Sequence, residues 1–178
     1  MKAIVIGASS GGPQALEKVL KALPGSLPAV IIIAQHLPSQ FTGQMAQRLK
    51  NIVPIPVSQI ENGEVLKPSH IYIIPGNFHF FITSPDYKAH LLAATGLTHP
   101  SIDMGFTSIA EHFGPDTIGV VLTGMGEDGV IGAKAIKQLG GKVIVQDEKT
   151  SAIFGMPRAV QIAGFADEVL PLEGIAGR

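Results

Sequence analysis

Three groups of polar residues, each directly after an apolar run, could take part in nucleophilic chemistry. They are Ser9 and Ser10 after run 3–6, His36 after run 29–35, and segment 123–129 (TGMGEDG) after run 117–122. A serine hydroxyl is a weak nucleophile at neutral pH, so it needs a nearby base such as imidazole. The imidazole needs a carboxylate that fixes its tautomer and stabilises its protonated form. The residue types therefore suggest a serine, histidine and carboxylate triad.

The sequence leaves the members of this triad partly open. Spacing alone does not separate Ser9 from Ser10, and it favours Asp128 only modestly over Glu127. Asp128 could instead be a turn acid or a helix cap. The pair 147–148 (DE) follows another apolar run and is a weaker third source of a carboxylate. The remaining histidines fall in loop, hairpin or helix patterns; they are His70, His79, His90, His99 and His112.

The segment 4–20 (IVIGASSGGPQALEKVL) predicts a strand, a tight glycine turn and a helix that begins near Pro13. A dinucleotide site is disfavoured, because the turn lacks the G-x-G-x-x-G spacing and the next strand ends in Gln35 and His36 rather than an acid. A phosphate loop is disfavoured because no lysine follows Gly12. An exposed serine on a strand-to-helix turn remains, beside the alternative of a purely structural turn.

Alternating strand and helix patterns predict an α/β fold: a doubly wound, mainly parallel sheet with helices on both faces, which is a Rossmann-like architecture. Such a sheet brings the carboxyl ends of its strands to one edge, so the three polar groups should converge. The runs 71–75, 78–83 and 87–93 are short and separated by turn residues, and they predict an antiparallel meander. We expect residues 172–178 to be a frayed or truncated end.

Composition narrows the function class. The chain has 178 residues, a net charge of -1 and a charged fraction of 15%, so no basic field indicates a nucleic-acid or membrane-surface partner. It has no cysteine, which removes thiol chemistry and cysteine metal sites, and no histidine pair has helical ligand spacing. No signal peptide or membrane-length apolar segment is visible, so we expect one cytoplasmic domain without membrane insertion.

Five separated blocks resemble a known family. They are IGASSGGPQAL, QHLPSQFT, HPSID, GVVLTGMGEDG and QDEKTSAIFGMPRAV. In this order they are similar to the catalytic domain of chemotaxis-receptor protein-glutamate methylesterases of the CheB type. The resemblance extends over nearly the whole chain, and it implies the same doubly wound sheet with an antiparallel hairpin insertion.

The resemblance implies a role for each candidate residue. The family nucleophile is the first hydroxyl of its G-A-S-S/T-G-G block, which is Ser9 here. The general base corresponds to His36, and the orienting acid corresponds to Asp128, with Glu127 at a variable position. Met125 corresponds to the oxyanion hole, where its backbone N–H would be the donor. Gly124 and Ser10 are expected to support this site.

The implied reaction is hydrolysis of glutamate γ-methyl esters on the cytoplasmic helices of chemoreceptors, with deamidation of receptor glutamines as a related activity and no cofactor. In the family a receiver domain usually precedes the catalytic domain. Here the chain begins with the first catalytic strand, so we expect residues 1–178 to be a single catalytic domain without a receiver domain. A separate receiver-type regulator is then a further candidate partner. His99 stands where the family usually has arginine.

Two other classes remain open at this stage. One is a protein-binding module of the same fold with a silent triad. The other is a nucleotide-binding oxidoreductase, which the missing acid disfavours.

Overall fold

The structure is a computed structural model that describes residues 1–95 and 98–178. In these ranges the strands are β1 Lys2–Ala8, β2 Ala29–Gln35, β3 Val57–Gln59, β4 His70–Ile73, β5 Phe78–Thr83, β6 Lys88–Ala93, β7 Thr117–Val121, β8 Lys142–Gln146 and β9 Glu168–Leu170. The helices are α1 Gly12–Lys21, α2 Ser39–Lys50, α3 Ile102–Phe113, α4 Val130–Gln138, α5 Met156–Ile162 and α6 Leu172–Ile175.

Seven strands form one parallel sheet in the order β3-β4-β2-β1-β7-β8-β9, and β5 and β6 form a separate antiparallel hairpin. The predicted fold class is therefore confirmed. From β1 the chain first builds one half of the sheet through β2, and later returns to the other side of β1 with β7. The border between β1 and β7 is thus the point at which the winding reverses, where open α/β sheets bind ligands.

Both faces of the sheet are covered, which explains why its central strands are apolar throughout. In β1, Ala3 and Val5 face a core formed with α3, α4, α5 and the hairpin, whereas Ile6 and Ala8 face a core formed with α1, α2 and α6. Every residue of β2 is buried. Two-sided burial holds the ends of β1 and β2 in fixed positions, and the candidate site lies directly beyond these ends.

The predicted meander is wrong in its first strand. β4 lies inside the main sheet, where it pairs in parallel with both β2 and β3, and only β5 and β6 form the hairpin. The connection 60–69 between β3 and β4 contains no helix, so the local pattern resembles a meander rather than a parallel crossover. Burial of Ile71, Tyr72 and Ile73 from both sides determines where the strand lies.

The prediction of a frayed carboxyl terminus is also wrong for its first part. Leu172 and Ile175 in α6 are buried against the core on the α1 side of the sheet. This short amphipathic turn covers apolar surface that α1 and β8 leave open. The sequence offers only four helical residues for the purpose, too few to show a period.

Candidate functional site

Ser9 follows β1 directly and lies where the winding of the sheet reverses. Its amide N–H donates to the carbonyl of Thr123, the second residue after β7, at 3.0 Å. Its own carbonyl accepts from the Gly12 amide at 2.8 Å and closes the turn. Ser9 is half-buried and Ser10 is exposed. The sequence therefore places a serine at the ligand-binding edge of the sheet, held from two sides.

The turn between Ser9 and α1 depends on Gly11. Gly11 is the N-cap of the helix with φ 79°, a left-handed conformation that favours glycine. It supplies no capping side chain, and the first turn of α1 contains no acid. The positive end of the helix dipole therefore faces the site, where it favours negative charge.

His36 is held beside Ser9 by the register of the sheet. Ala8 of β1 pairs with Gln35 of β2, and the His36 amide donates to the Ala8 carbonyl at 3.0 Å. Ser9 and His36 are each the next residue after this pair. Neighbouring strands lie about 4.8 Å apart, so the serine and histidine backbones are close enough for their side chains to meet.

The His36 ring is hydrogen-bonded to a carboxylate from a distant loop. Nε2 of His36 lies 2.8 Å from Oδ2 of Asp128, and the two side chains are only 14% and 16% exposed. A carboxylate only accepts, so Nε2 carries the hydrogen and Nδ1 keeps the free lone pair. The two residues are 92 positions apart in sequence. Sheet register and loop position together therefore produce an oriented base.

The three competing acids lie elsewhere, and of these Glu148 is exposed. Glu127 is exposed, and within the described residues its side chain makes no hydrogen bond to His36. Asp147 is used inside its own turn, where Oδ1 accepts from the amide and the hydroxyl of Thr150 at 3.0 and 2.6 Å. Of the candidate carboxylates, the structure brings Asp128 to the imidazole.

Asp128 is held in its charged form. Burial acts to raise the pKa of its carboxyl, but hydrogen bonds from the His36 ring and from the Ile102 and Asp103 amides outweigh burial and lower the pKa below its ordinary value. The two amides begin α3 and donate at 2.9 Å each. The carboxylate thus occupies the anion-binding end of a helix while it orients the histidine.

In the described part of the chain no hydrogen bond joins Ser9 Oγ to the His36 ring, although the two residues directly follow a paired position of β1 and β2. Within the described residues the hydrogen bond of the ring is the one that Nε2 makes to Asp128, and Nδ1 makes none. A Cβ on Gly124 would come within 2.7 Å of the Ser9 Cβ, so glycine leaves the space that the serine side chain occupies. For His36 to activate Ser9, the serine hydroxyl must come within hydrogen-bond reach of Nδ1.

The three residues expected to support an oxyanion differ in what they offer. The Gly124 amide donates to the Ile153 carbonyl at 3.0 Å and is therefore already used. The amides of Met125 and Ser10 donate to no group in the described ranges, and the Met125 side chain is 74% exposed. The accessible donors thus lie on Met125 and Ser10, while the role of Gly124 is close packing.

Gln35 is a site residue that our sequence analysis missed. It is fully buried, and its Nε2 donates to the carbonyls of Ser9 at 3.0 Å and His36 at 3.2 Å. One side chain thereby links the loop of Ser9 to the loop of His36. Its Oε1 has no partner in the described residues. The available signal was a glutamine at the end of the apolar strand AVIIIAQ.

Gln146 ends β8 in the same way and fixes the third loop. Its Oε1 accepts from the Thr123 amide at 2.8 Å, and its Nε2 donates to the Thr150 carbonyl at 2.8 Å. Thr123 Oγ1 in turn donates to the Ser10 carbonyl at 2.9 Å and accepts from the Ile153 amide at 2.9 Å. Because the hydrogen-bonding groups of these two buried side chains have partners, the network stabilises the loop after β7.

An open cleft of about 550 Å³ lies beside Asp128. Its lining includes the apolar side chains of Met125, Val130 and Ile131 together with the carboxylate of Glu127, so it presents mixed surface next to Asp128. The His99 ring donates through Nδ1 to the carbonyl of Gly76, a residue whose Cα packs so closely on the loop after His36 that a Cβ there would lie 1.9 Å from the Leu37 carbonyl oxygen. The arrangement suits attack by a hydroxyl on a carbonyl presented by a protruding side chain.

The described residues hold neither a metal-binding cluster of side chains nor a helix that could span a membrane. Residues 1–95 and 98–178 contain no group of three or more His, Asp or Glu side chains arranged to hold a metal ion. In the same ranges, no helix combines the length and the apolar character that crossing a bilayer requires.

Comparison with known proteins places the chain in one family. A family model described as CheB methylesterase matches residues 4–178. Two curated relatives are named protein-glutamate methylesterase/protein-glutamine glutaminase. The protein from Moorella thermoacetica is 46% identical, with 99% of this chain and 43% of that protein aligned. The protein from Hahella chejuensis, whose name carries the number 4, is 44% identical, with 99% of this chain and 47% of that protein aligned. The chain thus spans about half the length of the curated relatives it matches.

A solved structure shows the same architecture. The crystal structure of the Thermotoga maritima CheB methylesterase catalytic domain superimposes with a TM-score of 0.93 at 39% sequence identity. The match covers 99% of this chain and 95% of that chain. The likeness therefore extends over the whole fold.

Proposed function

Because the chain belongs to the CheB methylesterase family, we propose that it is a serine hydrolase that removes methyl groups from glutamate γ-methyl esters on chemoreceptors. The observation that carries the proposal is the 2.8 Å hydrogen bond between His36 Nε2 and Asp128 Oδ2, one strand away from Ser9. It turns a histidine at the edge of the sheet into an oriented base next to a serine.

In the proposed first step, the Ser9 hydroxyl attacks the ester carbonyl and His36 Nδ1 takes the serine proton. Nδ1 is the basic nitrogen because Nε2–H donates to Asp128. The carboxylate then stabilises the imidazolium without taking its proton. Which nitrogen acts as base follows from the hydrogen bond to the acid.

The oxyanion of the tetrahedral intermediate would be stabilised by the amides of Met125 and Ser10 together with the positive end of α1. The imidazolium then protonates the departing methoxide, which leaves as methanol. His36 next removes a proton from water, the hydroxide attacks the acyl-enzyme, and the proton returns to Ser9 as the glutamate carboxylate is released. Every proton in this cycle passes through His36.

The same site supports deamidation of glutamine as a related activity. A glutamine side chain presents an equivalent carbonyl, and protonation by His36 would release ammonia instead of methanol. The curated relatives carry glutaminase in their names, which supports this extension. We propose cytoplasmic chemoreceptor helices as the substrate and a separate receiver-type protein as a candidate regulator.

The proposal is tested by release of labelled methanol from methylated receptor membranes, with and without an added receiver protein. Ser9→Ala should abolish release, and His36→Ala should be nearly as severe. Ser10→Ala should retain turnover, which identifies the nucleophile, and the exposed Ser26→Ala serves as a control. Unchanged release in Ser9→Ala would refute the mechanism, and binding of receptor without any turnover would favour the silent module.

A further inference from the structure

Helices α3 and α4 exchange capping carboxylates at their amino ends. Asp128 precedes α4, but its oxygens accept from the first amides of α3, those of Ile102 and Asp103. Asp103 lies in the first turn of α3, but its Oδ1 accepts from the Gly129 and Gly132 amides of α4 at 2.9 and 2.8 Å. Asp128 therefore caps α3 and Asp103 caps α4, and each acid satisfies amides that the capped helix would otherwise leave unpaired.

The exchange fixes the backbone beside Asp128. Gly129, the next residue, has φ 111°, and its amide is one of the two that Asp103 holds. A Cβ on Gly132 would lie 2.3 Å from Phe106 Cβ and 3.2 Å from Asp103 Cα, so the two helices approach closely at this point. The direction in which Asp128 leaves its loop thus depends on Asp103, although Asp103 makes no hydrogen bond to His36 in the described structure.

The two carboxylates also interact through their charges. Burial is the largest effect that raises the pKa of Asp103, and the negative charge of Asp128 raises it further. Three other titratable groups surround the pair. They are His36 after β2, Glu127 on the loop of Asp128, and His79 of β5, whose Nδ1 accepts from the Ser101 amide at 3.1 Å. Of the groups near Asp128, Asp103 is the one that caps the helix following Asp128 while Asp128 caps the helix of Asp103.

We propose that Asp103 is a positioning residue that sets the orientation of Asp128 and adds negative charge behind it, and so strengthens the hold of the acid on His36. The proposal rests on the proposed function of His36 and Asp128 as base and acid. Asp103 acts on Asp128 in two ways: its oxygen fixes the amides of the α4 start, and its charge favours the protonated imidazole.

Asp103→Asn and Asp103→Ala separate these two effects. Asparagine retains a side-chain oxygen for the Gly129 and Gly132 amides but removes the charge, whereas alanine removes both. Asp167→Asn is the matched control, because Asp167 is a remote carboxylate that also accepts a backbone amide, that of Val143 at 2.7 Å.

The first measurement is the titration of the His36 ring by nuclear magnetic resonance, which needs no substrate. Loss of a nearby negative charge makes the imidazolium less favourable, so the midpoint in Asp103→Asn should move to lower pH. Asp167→Asn should leave the midpoint unchanged. In Asp103→Ala the downfield signal of the Nε2 proton should weaken, since the carboxylate of Asp128 is no longer held in line.

The second measurement is ester hydrolysis as a function of pH. Asp103→Asn should shift the acid limb of the kcat profile in the same direction as the titration, with KM unchanged. Asp103→Ala should lower kcat about tenfold or more, within the roughly 10⁴-fold ceiling for complete loss of an orienting acid.

An unmoved His36 titration in Asp103→Asn together with a wild-type kcat in Asp103→Ala would overturn the proposal. If the titration moves as expected while the unmodified protein hydrolyses no ester, the coupling between the two acids stands and the proposed hydrolase function fails. If Asp103→Ala does not fold, an unmoved His36 titration together with an unshifted kcat profile in Asp103→Asn overturns the proposal.

Discussion

Replacement of Gln35 by methionine should impair catalysis while leaving the fold nearly as stable. Methionine has a similar length and no hydrogen-bonding amide, so Gln35→Met removes the link between the Ser9 and His36 carbonyls with little change in packing. The perturbation therefore acts on the relative position of nucleophile and base rather than on the core.

Opposing contributions keep the change in unfolding free energy small. The two lost hydrogen bonds contribute about 1 kcal/mol each. Gln35 Oε1, however, is buried without a partner, and desolvation of such an oxygen costs about 1–3 kcal/mol. Removing the whole amide removes this cost too. We expect the unfolding free energy to change by less than about 2 kcal/mol in either direction.

The catalytic effect should be larger. Misplacement of a reacting group by about 1 Å can cost about 10²-fold in rate. Without the amide of Gln35, Ser9 keeps the Thr123 and Gly12 contacts, but nothing links its carbonyl to that of His36. We expect kcat to fall roughly 10- to 100-fold with KM unchanged, because the interaction positions reacting groups rather than substrate.

Gln146→Met is the matched control for stability. Both ends of the Gln146 amide are satisfied, and its removal leaves the buried Thr123 amide unpaired. Gln146→Met should therefore be the more destabilising change in urea unfolding, by about 1–3 kcal/mol. The core variant Ile136→Val, which costs about 1 kcal/mol, shows what destabilisation alone does to kcat. Wild-type kcat in Gln35→Met, or a loss of stability larger than in Gln146→Met, would refute the reasoning.

Three further predictions concern the acid, the pH dependence of stability and cofactor binding. Asp128→Ala should abolish catalysis and lower the unfolding free energy by about 1–2 kcal/mol, because two α3 amides lose their acceptor. Asp128→Asn should keep a residual rate. If Glu127→Gln lowers kcat more than Asp128→Asn does, the acid is misassigned. Burial acts to raise the pKa of Asp167, but hydrogen bonds from Lys137 and the Val143 amide outweigh it and lower that pKa. Asp167→Asn should therefore reduce the unfolding free energy by up to about 1 kcal/mol at neutral pH, and this difference from the unmodified protein should narrow as pH falls through the lowered pKa. A difference in unfolding free energy that widens in acid would contradict this prediction. Saturating NAD or NADP should leave Tm unchanged, and a clear rise would revive the oxidoreductase alternative.

The central parts of the fold could be read from local patterns. The apolar run of β2 and the glycine turn before α1 are recognisable because two-sided burial and tight turns restrict residue types locally. The positions of Ser9 and His36 after adjacent strands follow from the same patterns, since the ends of parallel strands share an edge. The resemblance to a family then singled out Asp128, which spacing could only favour modestly.

Tertiary structure determined what depends on contacts between distant parts of the chain. Spacing could not show that Nε2 rather than Nδ1 of His36 bonds the acid, because that depends on a loop 92 residues away. It could not show that Gln35 links two loops or that Asp103 caps α4, since a buried amide and a helix-start acid look alike with or without a partner. Strand β4 was misplaced for the same reason, because its neighbours are chosen by burial and register and not by the residues beside it in sequence.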